Sequence, residues 1–145
     1  MRILTIGFTQ KSAEAFFGAL EQAGVRTVVD IRLHNTSQLA GFAKRDDLRF
    51  FLDHIAGIGY RHEPLLAPTE DLLTGYHKKA ITWADYEDRF RALLREREVE
   101  TRLDPAKLDN GCLLCSEAKP DQCHRRLVAE YLRDRWGDVE IVHLI

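Results

Sequence analysis

All three cysteines of the chain fall in one segment, GCLLCSEAKPDQCHRRLVAEYL (Gly111–Leu132). Cys112 and Cys115 form a C-x-x-C pair, a spacing used for zinc and for thiol redox chemistry. The surrounding CLLC run reads as a β-strand, on which residues three apart point to opposite faces. Both are therefore expected in core packing, the usual place of an unpaired cysteine. Cys123 differs. With Asp121 as the helix cap it falls at the second helical position, where free backbone N–H groups stabilise a thiolate. His124 and Arg125 follow in the same turns, and such a corner suits an anion or an activated thiol. Another arrangement groups Cys115, Cys123, His124 and His62 around a metal ion. Adjacent Cys and His on regular backbone do not converge on one tetrahedral ion, so no metal ligand is assigned and no cofactor is named.

A second set of chemically capable residues lies at strand ends. Asp30 and Arg32 follow Val28–Val29 and share one strand face, being two apart. A polar pair there is costly to bury unpaired. It serves either as a structural bridge or as an acid–base and anion-clamping pair. Glu117 leaves the cysteine strand, and Thr9, Ser12 and Ser37 add hydroxyls nearby; Ser12 already has a structural reason as a helix cap. The candidate catalytic set is Cys123, His124, Glu117 and Asp30, and the candidate substrate-binding set is Arg32, Arg125, Ser37 and Thr9.

These residues need a scaffold, and the chain alternates strand and helix throughout. RILTIG (Arg2–Gly7), RTVVDIR (Arg26–Arg32), YRHEP (Tyr60–Pro64), GCLLCSE (Gly111–Glu117) and VEIVHLI (Val139–Ile145) read as strands. Ser12 caps a helix with Phe16, Phe17 and Leu20 on its apolar stripe, closed by Gly24. Leu48, Phe51, Leu52 and Ile55 repeat at helical spacing up to Gly57. Thr69 opens a short helix. Thr82 with Asp85 forms a capping box for a helix burying Trp83, Tyr86, Phe90, Leu93 and Leu94. Asp121 opens the last helix, which ends at Gly137. The expectation is one domain over residues 1–145, a three-layer α/β sandwich with a mostly parallel sheet of about five strands, Rossmann-like. In such sheets ligands sit beyond the carboxyl ends of the strands. Three of the loops there carry charged or hydroxyl residues.

Composition narrows the class. A net charge of −2 gives no global field drawing the protein onto nucleic acid; the basic clusters are local, at His77–Lys79 and around Arg125, Arg126, Arg133 and Arg135. No apolar run approaches the roughly 18 residues of a membrane span. The N-terminus lacks the pattern of a signal peptide, and an odd cysteine count argues against a disulfide scaffold. The expected compartment is the reduced cytoplasm. The expected partner is a small anionic ligand or nucleic acid, with no membrane; the oligomeric state is not readable. Neither a dinucleotide fingerprint nor a P-loop is present. A phosphatase C-x5-R fails because Asp121 stands six residues after Cys115.

TIGFTQKS, VVDIR, LRFFLDHIAGIGYRHEPLLAP and CLLCSEAKPDQCHRRLVAEYL together resemble the prokaryotic family called domain of unknown function 488, over nearly the whole chain. That family often has His after the first Gly, where Phe8 and Thr9 stand here, and Pro with several Arg in the loop after the second strand. The resemblance implies the fold and marks Asp30, Arg32, Glu117, Cys123, His124 and Arg125 as signature positions. It implies no reaction. The functional expectation is a ligand pocket at the strand carboxyl edge, in an enzyme acting on an anionic or nucleotide-like substrate. The alternatives are a non-catalytic nucleic-acid or nucleotide binding module and a zinc-stabilised structural protein.

Overall fold

A computed structural model describes residues 1–36, 41–117 and 119–145. Ser37 lies outside the described residues. The described strands are β1 (Arg2–Gly7), β2 (Thr27–Asp30), β3 (Gly59–His62), β4 (Gly111–Cys115) and β5 (Glu140–His143). They form one sheet in the order β3-β2-β4-β1-β5, with every neighbouring pair parallel. The sheet is thus wholly rather than mostly parallel.

Side-chain alternation along the strands divides the core in two. Ile3, Val29, Leu113 and Cys115 face one side, and Leu4, Ile6, Val28, Cys112 and Leu114 face the other. Against the second side pack α1 (Ala13–Gln22) and α2 (Arg45–Phe51), the latter running into a π turn at Leu52–Ala56. The first side carries α3 (Glu70–His77), α4 (Trp83–Arg97), the short α5 (Val99–Arg102) and α6 (Pro105–Leu108), and α7 (His124–Trp136). Cys112 and Cys115 accordingly lie in different cores, as residues three apart on a strand must. Burial pushes the Cys112 thiol strongly up, against the lowering effect of Arg125, so it stays protonated.

The predicted caps are in place. Ser12 Oγ accepts from the Ala15 amide, Thr69 Oγ1 from that of Leu72, and Thr82 and Asp85 satisfy one another's backbone amides in a capping box. The last helix differs from expectation. Pro120 to Cys123 form a turn in which the Cys123 amide donates to the Pro120 carbonyl at 3.2 Å. Asp121 is spent in that turn, and α7 begins at His124 with Cys123 as its extended N-cap (φ −137°, ψ 140°). Two of the three inner strands, β2 and β4, are also shorter than predicted. β2 stops at Asp30 and β4 at Cys115, because Ile31–Arg32 and Ser116–Glu117 already leave the sheet.

This topology opens the crevice that matters. From β4 the chain passes to α7 on one face, whereas from its neighbours β1 and β2 it passes to α1 and α2 on the other. Adjacent strands whose connections part in this way leave room at their carboxyl ends. Among the described residues, no helix is long and apolar enough to cross a membrane.

Candidate active site

At the exit of β2, Asp30 is fully buried and surrounded by donors. Arg32 Nε and Nη2 donate to its two oxygens at 2.8 Å each. The Arg32 amide donates at 3.2 Å, Tyr60 Oη at 2.6 Å and Asn35 Nδ2 at 3.2 Å. Arg32 Nη1 donates to the Ala43 carbonyl at 2.7 Å, and its guanidinium lies 5.4 Å over the Phe8 ring. Burial alone would raise the Asp30 pKa. The hydrogen bonds and charge of Arg32, with Tyr60, outweigh it and hold the carboxyl below its ordinary range. The Tyr60 phenol is pushed up, first by burial and then by Asp30. Asp30 and Arg32 are thus a buried structural pair that ties the exit of β2 to Ala43 and Tyr60. Asp30 does not line the cleft described below, so it is not placed to exchange a proton with a ligand there.

The pair has a pH signature. A carboxyl whose folded pKa lies below its unfolded value stabilises the fold fully above the unfolded value, here near 3.8. That stabilisation is lost as pH falls through the folded value. Urea unfolding from pH 5 downward should show stability declining with acid. The variant Asp30→Asn/Arg32→Gln, which keeps the shape without the charges, should lose that part of the decline. An unchanged acid slope in the double variant would contradict the assignment.

Arg125 plays a comparable part at the centre. Its residue is wholly buried. Nη1 donates to the Glu117 carbonyl and, at 3.5 Å, to Cys115 Sγ; Nε donates to Thr5 Oγ1 at 3.3 Å. Thr5 Oγ1, accepting from Arg125, meets His143 Nδ1 at 2.6 Å. The expected substrate-binding Arg125 is therefore a tie between β1, β4 and the loop after β4. Desolvation pulls its pKa down to about 10, against the raising effects of Cys112 and Glu117, which leaves it charged at neutral pH. Arg126 pairs with Glu130 at 3.1 Å and Glu87 at 3.6 Å, so its charge is offset within the helical layer.

Between these two ties lies a cleft of about 240 Å³. Its floor is Cys115, Ser116, Glu117, Cys123 and His124, and Arg32 edges it beside Leu33 and His34. Its far wall is aromatic: Tyr76 lies 5.5 Å from Trp83 and 5.2 Å from Tyr86, and Trp83 stacks on Tyr86 at 5.1 Å. The structure joins Cys115 and Cys123 by a disulfide, against the expectation of a reduced chain, so Cys115 is a cleft residue as well as a core one. His124 Nε2 meets the Ile31 carbonyl at 2.8 Å. A carbonyl only accepts, so Nε2 carries the hydrogen. Desolvation pushes the His124 pKa down to about 4, against the raising effect of that bond.

Of the sequence-derived candidates, Cys123, His124, Glu117 and Arg32 converge on the cleft. Asp30 and Arg125 are buried supports. Thr9 is exposed and outside the cleft lining, its amide tying down the Ser116 carbonyl at 3.1 Å. His62 meets the Arg32 carbonyl at 3.2 Å and does not join the cysteines. The aromatic wall was missed. Trp83 and Tyr86 fit the apolar stripe of α4, and only the density of rings in GYHKKAITWADY hinted at a second use.

Among known families, the model for "Domain of unknown function DUF488" matches residues 12–132. No curated protein and no solved structure matches the chain.

Proposed function

The chain belongs to the DUF488 family, and from that premise we propose that it is an enzyme whose cleft takes a small planar ligand of the nucleobase or nucleotide kind. The observation carrying this reading is the pairing of an aromatic wall, Tyr76 and Trp83, with a polar floor of Ser116, Glu117, Cys115, Cys123 and His124. A flat ring lies against the wall by stacking, and its polar edge meets the floor. A volume of about 240 Å³ is near the lower end of small-molecule sites, which run from about 300 Å³. In this reading Glu117, the solvent-exposed member of the floor, is the group for proton transfer, and His124 presents a neutral ring. Arg32, whose charge Asp30 already balances, shapes the edge rather than clamping an anion.

The test is a panel of nucleobases, nucleosides, nucleotides and short single-stranded oligonucleotides, titrated while Trp83 fluorescence is followed in a Trp136→Phe background. At least one monomeric member should bind and quench. Tyr76→Ala and Trp83→Leu, the latter read by calorimetry, should each weaken that binding roughly 10- to 100-fold, the range of about 1–3 kcal/mol measured for base–aromatic stacking. Binding indifferent to both variants, or no monomeric binder, refutes the reading. Steeply salt-dependent binding of oligonucleotides alone would replace it with a nucleic-acid module.

A further inference from the structure

We propose that Cys115, Cys123 and His124 form a three-ligand site for a zinc-type metal ion, with its fourth position open to the cleft. The two sulfurs and a ring nitrogen of His124 lie within 4.8 Å of one another. Both cysteines are buried, at the junction of the β4 exit and the start of α7. The objection that neighbouring Cys and His cannot share an ion assumes regular backbone at both. Here Cys123 is an extended cap and His124 the first helical residue, and the break between them turns the two side chains to the same side.

Three further observations fit a metal. His124 donates Nε2–H to the Ile31 carbonyl, so Nδ1 carries the lone pair. A ligating histidine is usually held this way, its second ring nitrogen bonded to a carbonyl or carboxylate. The structure joins Cys115 to Cys123 as a disulfide, so the metal site belongs to the reduced chain; their α-carbons stand 7.5 Å apart, beyond the roughly 4.4–6.8 Å usual for a disulfide. Two thiolates on one tetrahedral ion, each bond about 2.3 Å long, hold their sulfurs roughly 3.8 Å apart and accommodate that wider spacing. Finally, Arg125 Nη1 donates to Cys115 Sγ at 3.5 Å, the kind of outer hydrogen bond that orients a ligating side chain. Two cysteines and one histidine with an open position is a known donor set for catalytic zinc, whereas structural zinc takes four protein ligands. The site does not depend on the nucleobase reading, since it is defined by the floor alone.

The experiment uses the full chain purified under reducing conditions without chelator. Elemental analysis should find close to one zinc per chain. Cobalt substituted for zinc should give sulfur-to-cobalt charge-transfer absorption and the intense d–d bands of four-coordinate cobalt. Cys115→Ser, Cys123→Ser and His124→Ala should each weaken zinc binding at least 100-fold, while Cys112→Ala keeps it. Should a ligand variant fail to fold, wild-type protein decides. Zinc must then protect two of its three thiols from iodoacetamide, and a chelator must expose them. Reduced wild-type protein that takes up neither zinc nor cobalt at micromolar concentrations overturns the proposal, and so does a cobalt spectrum without sulfur charge transfer. Ligand variants that fold and keep the metal overturn it equally.

Discussion

Asp30→Ala should cost about 3–5 kcal/mol of folding stability, the usual penalty for removing one partner of a buried ion pair. The reason is what remains behind. Arg32 is only 3% exposed, and without Asp30 its guanidinium keeps one carbonyl bond, to Ala43. Tyr60 Oη loses its acceptor at the same time, and Asn35 Nδ2 is left with Tyr60 Oη at 3.5 Å. Set against a total stability of about 5–15 kcal/mol, the loss lowers the melting temperature by roughly 10 °C or more. Replacing both charges, as Asp30→Ala/Arg32→Leu, should restore more than half of it, because the buried cation is then gone; the bonds that Tyr60 and Asn35 gave to Asp30 account for the remainder. Chemical denaturation of the wild type, both single variants and the double variant closes the cycle. Equal stability of Asp30→Ala and wild type would show that the pair is not the lock described here.

Gly7→Ala should be comparably damaging, although it adds a single methyl group. Gly7 ends β1 beside Cys115. A Cβ there would overlap the Glu117 carbonyl oxygen outright and stand 2.8 Å from Arg125 Nη1. The obstacle is backbone, so the loop after β4 must move away and take its carbonyl off Arg125. Overpacking costs typically about 1–3 kcal/mol, and loosening a charge-assisted hydrogen bond adds roughly 1.5–3 kcal/mol. The same variant should disorganise the cleft floor, since Glu117 and Ser116 travel with the loop. Gly18→Ala is the control. Nothing lies within 4 Å of its added methyl, it sits inside α1, and it should stabilise by up to about 1 kcal/mol. Thermal melts that show no difference between the two variants would remove Gly7 from this account.

The element types and caps were readable because each rests on local physics. The β-branched run Thr27–Val29, the Thr82–Asp85 reciprocal cap and the Gly137 helix end need no knowledge of distant residues. Strand order was not readable, because it is set by which apolar faces meet across the chain. The start of α7 was misjudged for a related reason. Asp121 is a good cap in isolation, and the Pro120 turn overrides it. At the site, the sequence marked the residues that matter but could not sort reach from support. Asp30, Arg32, Glu117, Cys123, His124 and Arg125 all stand at the right edge, yet burial decides that Asp30 and Arg125 hold the frame. Cys115 shows the limit most clearly. It is buried in the core as expected, while its sulfur reaches Cys123 through a loop whose path the local pattern does not encode.

The position of β4 also governs when the site comes into being. This strand lies between β1 and β2, although it is made more than eighty residues after both. During synthesis the first hundred residues carry the two flanks of a slot and the whole aromatic wall, but none of the three cysteines. Only when Gly111–Cys115 slides into that slot do the flanks become one surface, and His124 can then reach Ile31. A nascent chain halted before that insertion would hold the materials for a wall with nothing beneath it, so competence for any chemistry arrives late and all at once.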